Sequence, residues 1–222
     1  MPHNRFSGIL VICGALEGIL SRIVRGLASI GCLMLVVIWS GRSVQAEIVS
    51  QENFDSGRVG AWSPFATPNG TLGGEGFPVF VNCDAAGTGH ISRCWQVKVG
   101  QIQYSPDQDL QQGGGLEIRQ ALAPGWLKLS VFVMVTYASQ NDRRNLAGGL
   151  FEWIIDHQVM GRHEIGPIEN GATIRHHFTA DIPVEAGSHL IQLRMSRPFT
   201  SGAGRQAPLQ FIDDLALDWS PR

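Results

Sequence analysis

Hydrophobic and polar positions alternate with period two through most of the chain beyond residue 92. Such alternation marks half-buried strands. Cys94–Val99 (CWQVKV) is the first clear run. Leu116–Leu122 places Leu116, Ile118 and Leu122 on one face and Glu117 and Arg119 on the other. Trp126–Tyr137 places Leu127, Leu129, Val131, Val133 and Val135 on one face. Its opposite face is polar at Lys128 and Ser130, then apolar at Phe132 and Met134, so this strand is expected to be covered on both sides over part of its length. Leu150–His157 and Gln158–Ile165 read as a hairpin. Ala172–Pro183 turns Ile174, Phe178 and Ile182 inward, His189–Met195 turns Ile191, Leu193 and Met195 inward, and Pro208–Trp219 is the last strand. Residues 47–92 and 100–115 read as loop-rich, the latter as a polar connection ending in three glycines. The expectation is about eight or nine strands without repeat or helix, hence one all-β domain over 47–222, a two-sheet sandwich of jelly-roll type.

Residues 1–46 follow a different rule. Arg22 and Arg25 precede the uncharged run Leu27–Trp39, which ends in SGRSVQA. A 13-residue helix spans about 20 Å, short of a roughly 30 Å hydrocarbon core. The segment is therefore expected to be a signal peptide cleaved after Ala46, or else an N-terminal anchor. Either makes the chain an exported protein, periplasmic or secreted, with no membrane span after residue 46.

Composition then narrows the partners. The chain has 17 basic and 19 acidic residues. Arg5, Arg22, Arg25, Arg42 and Glu17 lie in the N-terminal segment, leaving 13 basic and 18 acidic, a net charge of −5. No nucleic-acid partner is expected from such a charge. The 27 glycines and 11 prolines have no period-three repeat and fit many turns. Cys83 and Cys94 are the two cysteines beyond residue 46. In an exported chain they are expected to pair as a disulfide, closing the loop DAAGTGHISR, a constraint worth about 2–3 kcal/mol.

Two terminal segments carry a resemblance. One is Glu52-Asn53-Phe54-Asp55-Ser56-Gly57 followed by Gly60-Ala61-Trp62; the other is Phe211-Ile212-Asp213-Asp214-Leu215-Ala216-Leu217. Together they resemble the two ends of carbohydrate-binding modules and other galactose-binding-like jelly rolls. The resemblance implies neighbouring first and last strands, a structural calcium ion in many members, and glycan binding on a concave sheet or in apical loops. Calcium takes six to eight oxygens, and Glu52, Asp55, Asp213 and Asp214 are the carboxylates expected to supply them. The alternative reading leaves Asp213-Asp214 ending a strand and Asp55 in a side-chain-capped turn.

The ligand-facing expectation rests on aromatic and polar side chains that point away from the inferred core. Sugars offer an apolar ring face for stacking and hydroxyls for hydrogen bonding. Trp126 is the exposed aromatic expected from strand phase, with Trp153 second. Glu117, Arg119, Lys128, Arg175, His177, Gln192 and Arg194 are expected to form one polar surface if their strands share a sheet. His176 and His177 are successive strand residues and point to opposite faces, so they do not ligate one ion. Glu152 and Asp156, four apart on one strand, would lie roughly 13 Å apart, too far for a glycosidase pair. No Gly-x-Ser-x-Gly, zinc-binding or phosphate-loop motif occurs. The expected function is non-catalytic carbohydrate binding. The alternatives are a structural or adhesive protein-interaction sandwich of the cell envelope and a polysaccharide-acting enzyme.

Overall fold

The computed structural model describes residues 46–104, 112–138, 146–198 and 207–222, all within a compact unit that begins at Ser43. The expected signal segment lies outside them. Thirteen strands follow one another: β1 (Glu47–Glu52), β2 (Ser63–Ala66), β3 (Gly70–Thr71), β4 (Val79–Cys83), β5 (Ser92–Val97), β6 (Gly100–Gln101), β7 (Gln112–Leu122), β8 (Gly125–Thr136), β9 (Leu146–Ile155), β10 (Gln158–Ile168), β11 (Thr173–Val184), β12 (Gly187–Arg197) and β13 (Leu209–Pro221). The surplus over eight or nine lies largely in segments read as loops. Residues 47–92 hold four strands whose Pro, Gly and Asn content masks their period, and the triple glycine sits inside β7.

Two sheets face each other in a jelly-roll sandwich. The six-stranded sheet runs β11-β8-β13-β5-β4, with β1 added along β13, and the five-stranded sheet runs β10-β9-β12-β7-β2. A short ribbon pairs β3 with β6. The first and last strands are neighbours, with Glu47 opposite Trp219 and Glu52 opposite Leu215.

The alternation read in β8 is realised fully. Leu127, Leu129, Val131, Val133 and Val135 are wholly buried, in one cluster with Leu116, Phe151, Trp153, Ile191, Leu193 and Met195 of the facing sheet. Each such side chain contributes about 1.5–3 kcal/mol relative to exposure. The back of β8 is also covered, as expected. Met134 packs with Phe211, Ala85 and the paired Cys83 and Cys94, with Phe132 alongside. The disulfide loop folds over this second cluster. Asp84 caps it by accepting the Thr88 and Gly89 amides, and Arg175 Nε donates to the Asp84 carbonyl at 2.7 Å.

Asp213-Asp214 neither ends a strand nor caps a turn. It forms a β-bulge inside β13, where the register against β8 shifts between Asp213 and Ala216. Asp214 takes a left-handed φ of 48°, which Asp tolerates better than most residues. The extra residue lets Ile212, Leu215 and Leu217 all point into the core while Asp214 goes to solvent.

Candidate binding face

The outer face of the five-stranded sheet is built by strands whose odd partners fill the core. Ile191, Leu193 and Met195 point inward, so Gln192, Arg194 and Ser196 of β12 point outward. Register then defines rows across the sheet. In one, Arg162 of β10 lies opposite Glu152 of β9, Glu152 opposite Arg194, Arg194 opposite Gly115, and Gly115 opposite Phe65 of β2. The next row carries Ile154, Gln192, Glu117 and Ser63.

Arg194 Nε and Nη2 both donate to Glu152 Oε2, at 2.8 and 2.6 Å. Gln192 Nε2 donates to Glu117 Oε2 at 2.7 Å. The second Glu152 oxygen takes no hydrogen bond from the described residues. The middle of the face is buried at Glu152, Gly113, Gly115 and Ser196, while Glu117, Gln192, Arg194 and Phe65 are half-buried and Arg119 and Arg162 exposed. Ser196 carries a buried hydroxyl with no hydrogen-bond partner among the described residues. The glycines are required here by close approach: a Cβ on Gly115 would run into the Leu193 carbonyl oxygen, and one on Gly113 into that of Met195. The result is a side-chain-free strip beside fixed donors and acceptors, with one aromatic ring at its margin.

The single polar surface expected from sequence does not form. Glu117, Arg119, Gln192 and Arg194 share the five-stranded sheet, but Trp126, Lys128, Arg175 and His177 stand on the outer face of the six-stranded one. Two sheets about 10 Å apart, facing opposite ways, separate them. Strand phase fixes which residues point outward, but not which strands pair. Trp126 is 47% exposed, as its phase implies, whereas Trp153 is fully buried. His177 stacks on Phe132 at 4.4 Å, and His176 turns inward. Phe65, Glu152, Arg162 and the two glycines were missed as members of a site. The signal for the glycines was their strand phase in continuation of Leu116–Leu122, and Phe65 lay in a segment too rich in turn residues to show a period.

The four carboxylates expected around calcium divide between separate tasks. Glu52 is buried and its Oε1 accepts the Phe54 amide at 2.8 Å. Asp55 accepts the Asn53 side-chain amide at 3.0 Å. Asp213 accepts the Ser92 hydroxyl and, at 2.9 Å, the Asp214 amide. Burial pushes the Asp213 carboxyl up from the ordinary carboxylate range, against the lowering effect of those two bonds. Asp55, Asp213 and Asp214 do line one open hollow of about 420 Å³ with His90 and Phe132, but Glu52 is not part of it. Among the described residues no three His, Cys, Asp or Glu side chains are arranged to hold a metal ion. Of the four expected ligands, Asp55, Asp213 and Asp214 therefore share one hollow and Glu52 stands apart from it.

No protein-family model and no curated protein matches the chain. Solved structures do. The CBM22-1 xylan-binding domain of Paenibacillus barcinonensis Xyn10C is 8% identical over 81% of this chain and 99% of its own, with a TM-score of 0.43. TmCBM61, solved with beta-1,4-galactotriose, is 12% identical over 74% and 92%, with a TM-score of 0.40. A cyclase from Fischerella sp. TAU is 11% identical over 80% and 98%, with a TM-score of 0.47.

Proposed function

We propose that the chain is an exported, non-catalytic binding protein for carbohydrate, and that its ligand lies across the outer face of the five-stranded sheet. The observation that carries this reading is the Arg194–Glu152 pair. It sets a guanidinium and a carboxylate oxygen side by side, so that adjacent hydroxyls of a sugar meet a donor and an acceptor at once. Both groups are already held by each other, which lowers the ordering entropy that binding must overcome. Phe65, half-buried at the margin of this face, offers an apolar ring for stacking. Charges on the face balance, with Arg119, Arg162 and Arg194 against Glu117, Glu152 and Glu164, which suits a neutral glycan.

Two geometric facts speak for binding over hydrolysis. Glu117 and Glu152 are not row partners: β12 lies between their strands, and they sit two residue steps apart along it. Each already accepts a hydrogen bond from a neighbouring side chain. The test is a glycan and polysaccharide array probed with the full chain and its Arg194→Ala variant. Binding of a defined neutral glycan class by the parent, weakened tenfold or more in the variant, is expected. Binding unchanged in Arg194→Ala would move the site elsewhere, and no glycan binding at all would transfer the reading to a protein-interaction sandwich.

A further inference from the structure

The last residue of β12, Arg197, is an arginine in the interior, 2% exposed. Its Nε donates to the Ala147 carbonyl at 2.7 Å and its Nη1 to that of Val99 at 3.4 Å. No carboxylate pairs with it among the described residues, and Nη2 donates to none of them. A charge taken from water without a counter-ion is costly by several kcal/mol, so such residues are normally paired. Burial accordingly lowers the Arg197 guanidinium to about 10.

The two backbone contacts do not account for the charge. Next to Arg197, the neutral and fully buried Gln210 ties the same segments together. Its Oε1 accepts the Val99 amide at 3.0 Å and its Nε2 donates to the Gly148 carbonyl at 2.7 Å. An amide suffices for that joint, and the positive charge is surplus to it.

Arg197 faces a cavity of about 150 Å³ shared with Lys98, Thr71, Gly73 and Gly100. Lys98 is half-buried and forms no ion pair among the described residues. The buried Tyr137 hydroxyl, which has no hydrogen-bond partner among the described residues, lies within electrostatic reach of Arg197. Lys98 and Ala207 also wall a second cavity of about 250 Å³, lined by Phe77, Leu209 and Ala138. A cationic compartment and an apolar one therefore share a wall.

We propose that these two cavities form a binding site for a small organic acid, its carboxylate on Arg197 and Lys98 and its apolar body against Phe77 and Leu209. The guanidinium fork matches the two oxygens of a carboxylate. The ligand would also supply a counter-ion to Arg197, which has none among the described residues. This site is separate from the proposed glycan face.

Isothermal titration of the full chain with benzoate tests it, with benzyl alcohol and inorganic phosphate as comparisons. Saturable benzoate binding is expected, at least tenfold tighter than either comparison. Lys98→Ala should weaken it at least tenfold, and Arg197→Met should abolish it. If Arg197→Met does not fold, the Lys98→Ala variant and the benzyl alcohol comparison decide. No saturable benzoate binding, equal affinity for benzyl alcohol or phosphate, or unchanged affinity in Lys98→Ala would overturn the proposal.

Discussion

His163 of β10 lies face to face with His176 of β11, ring centroids 3.5 Å apart and planes within 8°. The two strands are edges of opposite sheets, so this stack closes one side of the sandwich, with Phe178 and Trp153 behind it. Burial lowers both imidazoles below their ordinary value of 6.5, and for His176 the charges of His163 and His177 add to the effect.

The folded state therefore takes up these protons less readily than the unfolded chain. Stability from the pair is complete above about pH 6.5 and declines as pH falls through the lower folded values. Replacing His176 by Phe keeps a ring in the stack and removes one titrating group. Urea unfolding at pH 7.5 and 5 should show a smaller acid loss in the variant than in the parent. An equal loss would place the acid sensitivity elsewhere.

His189 behaves in the opposite sense. Its Nδ1 lies 2.7 Å from Asp156 Oδ2, and that hydrogen bond raises the imidazole above 6.5. Asp156 is lowered, first by the Leu190 amide and then by His189. The stabilisation from His189 is complete below pH 6.5 and lost as pH rises through its folded value. Histidine titration by NMR should resolve the three, His189 above 6.5 and His163 and His176 below it. His189→Gln should lose stability relative to the parent at pH 6 and less at pH 9.

Removing Arg194 leaves the buried Glu152 carboxylate without its ion-pair partner. Arg194 is itself partly exposed, so the loss should stay below that of a fully buried pair, about 1–3 kcal/mol. The double variant Arg194→Ala, Glu152→Gln should recover part of it. Chemical denaturation of the single and double variants measures the coupling, and simple additivity would deny it.

Reduction of Cys83–Cys94 should destabilise the chain by about 2–3 kcal/mol, because it releases the loop that covers Met134 and Phe211. The effect should appear as a lower thermal midpoint in dithiothreitol. Labelling of Cys83 or Cys94 by a thiol reagent without prior reduction would contradict the bond.

Calcium and EDTA should leave the thermal midpoint unchanged. The Glu52 Oε1 and the Asp213 oxygens already accept amide and hydroxyl hydrogens. A calcium-dependent rise of several degrees would mean that this carboxylate set rearranges to hold the ion.

Strand phase was legible wherever one face was uniformly apolar. In β7, β8 and β12 every inward residue read from alternation is buried, because a period of two leaves no other choice. Sheet partners were not legible. β12 lies between β7 and β9, and β11 beside β8 on the other sheet, through pairings that local pattern does not encode. That is why Arg175 and Arg194, alike in phase, end on opposite surfaces. The Asp213-Asp214 bulge was hidden for a related reason. A bulge resets phase by one residue, so Leu215 and Leu217 look out of step with Ile212 until the positive φ of Asp214 is known.

The pairing of β1 with β13 sets how the fold answers force. The strands are antiparallel, and Glu47 and Trp219 meet at the same end of the ladder. Tension applied through residue 47 and residue 221 peels the two strands apart one hydrogen bond at a time, instead of loading the row together in shear. The register irregularity between Ile48 and Ser50 sits at the point where peeling starts. Pulled by its ends, the sandwich should open at low force and lose β1 first, while the β8–β13 ladder behind it stays closed.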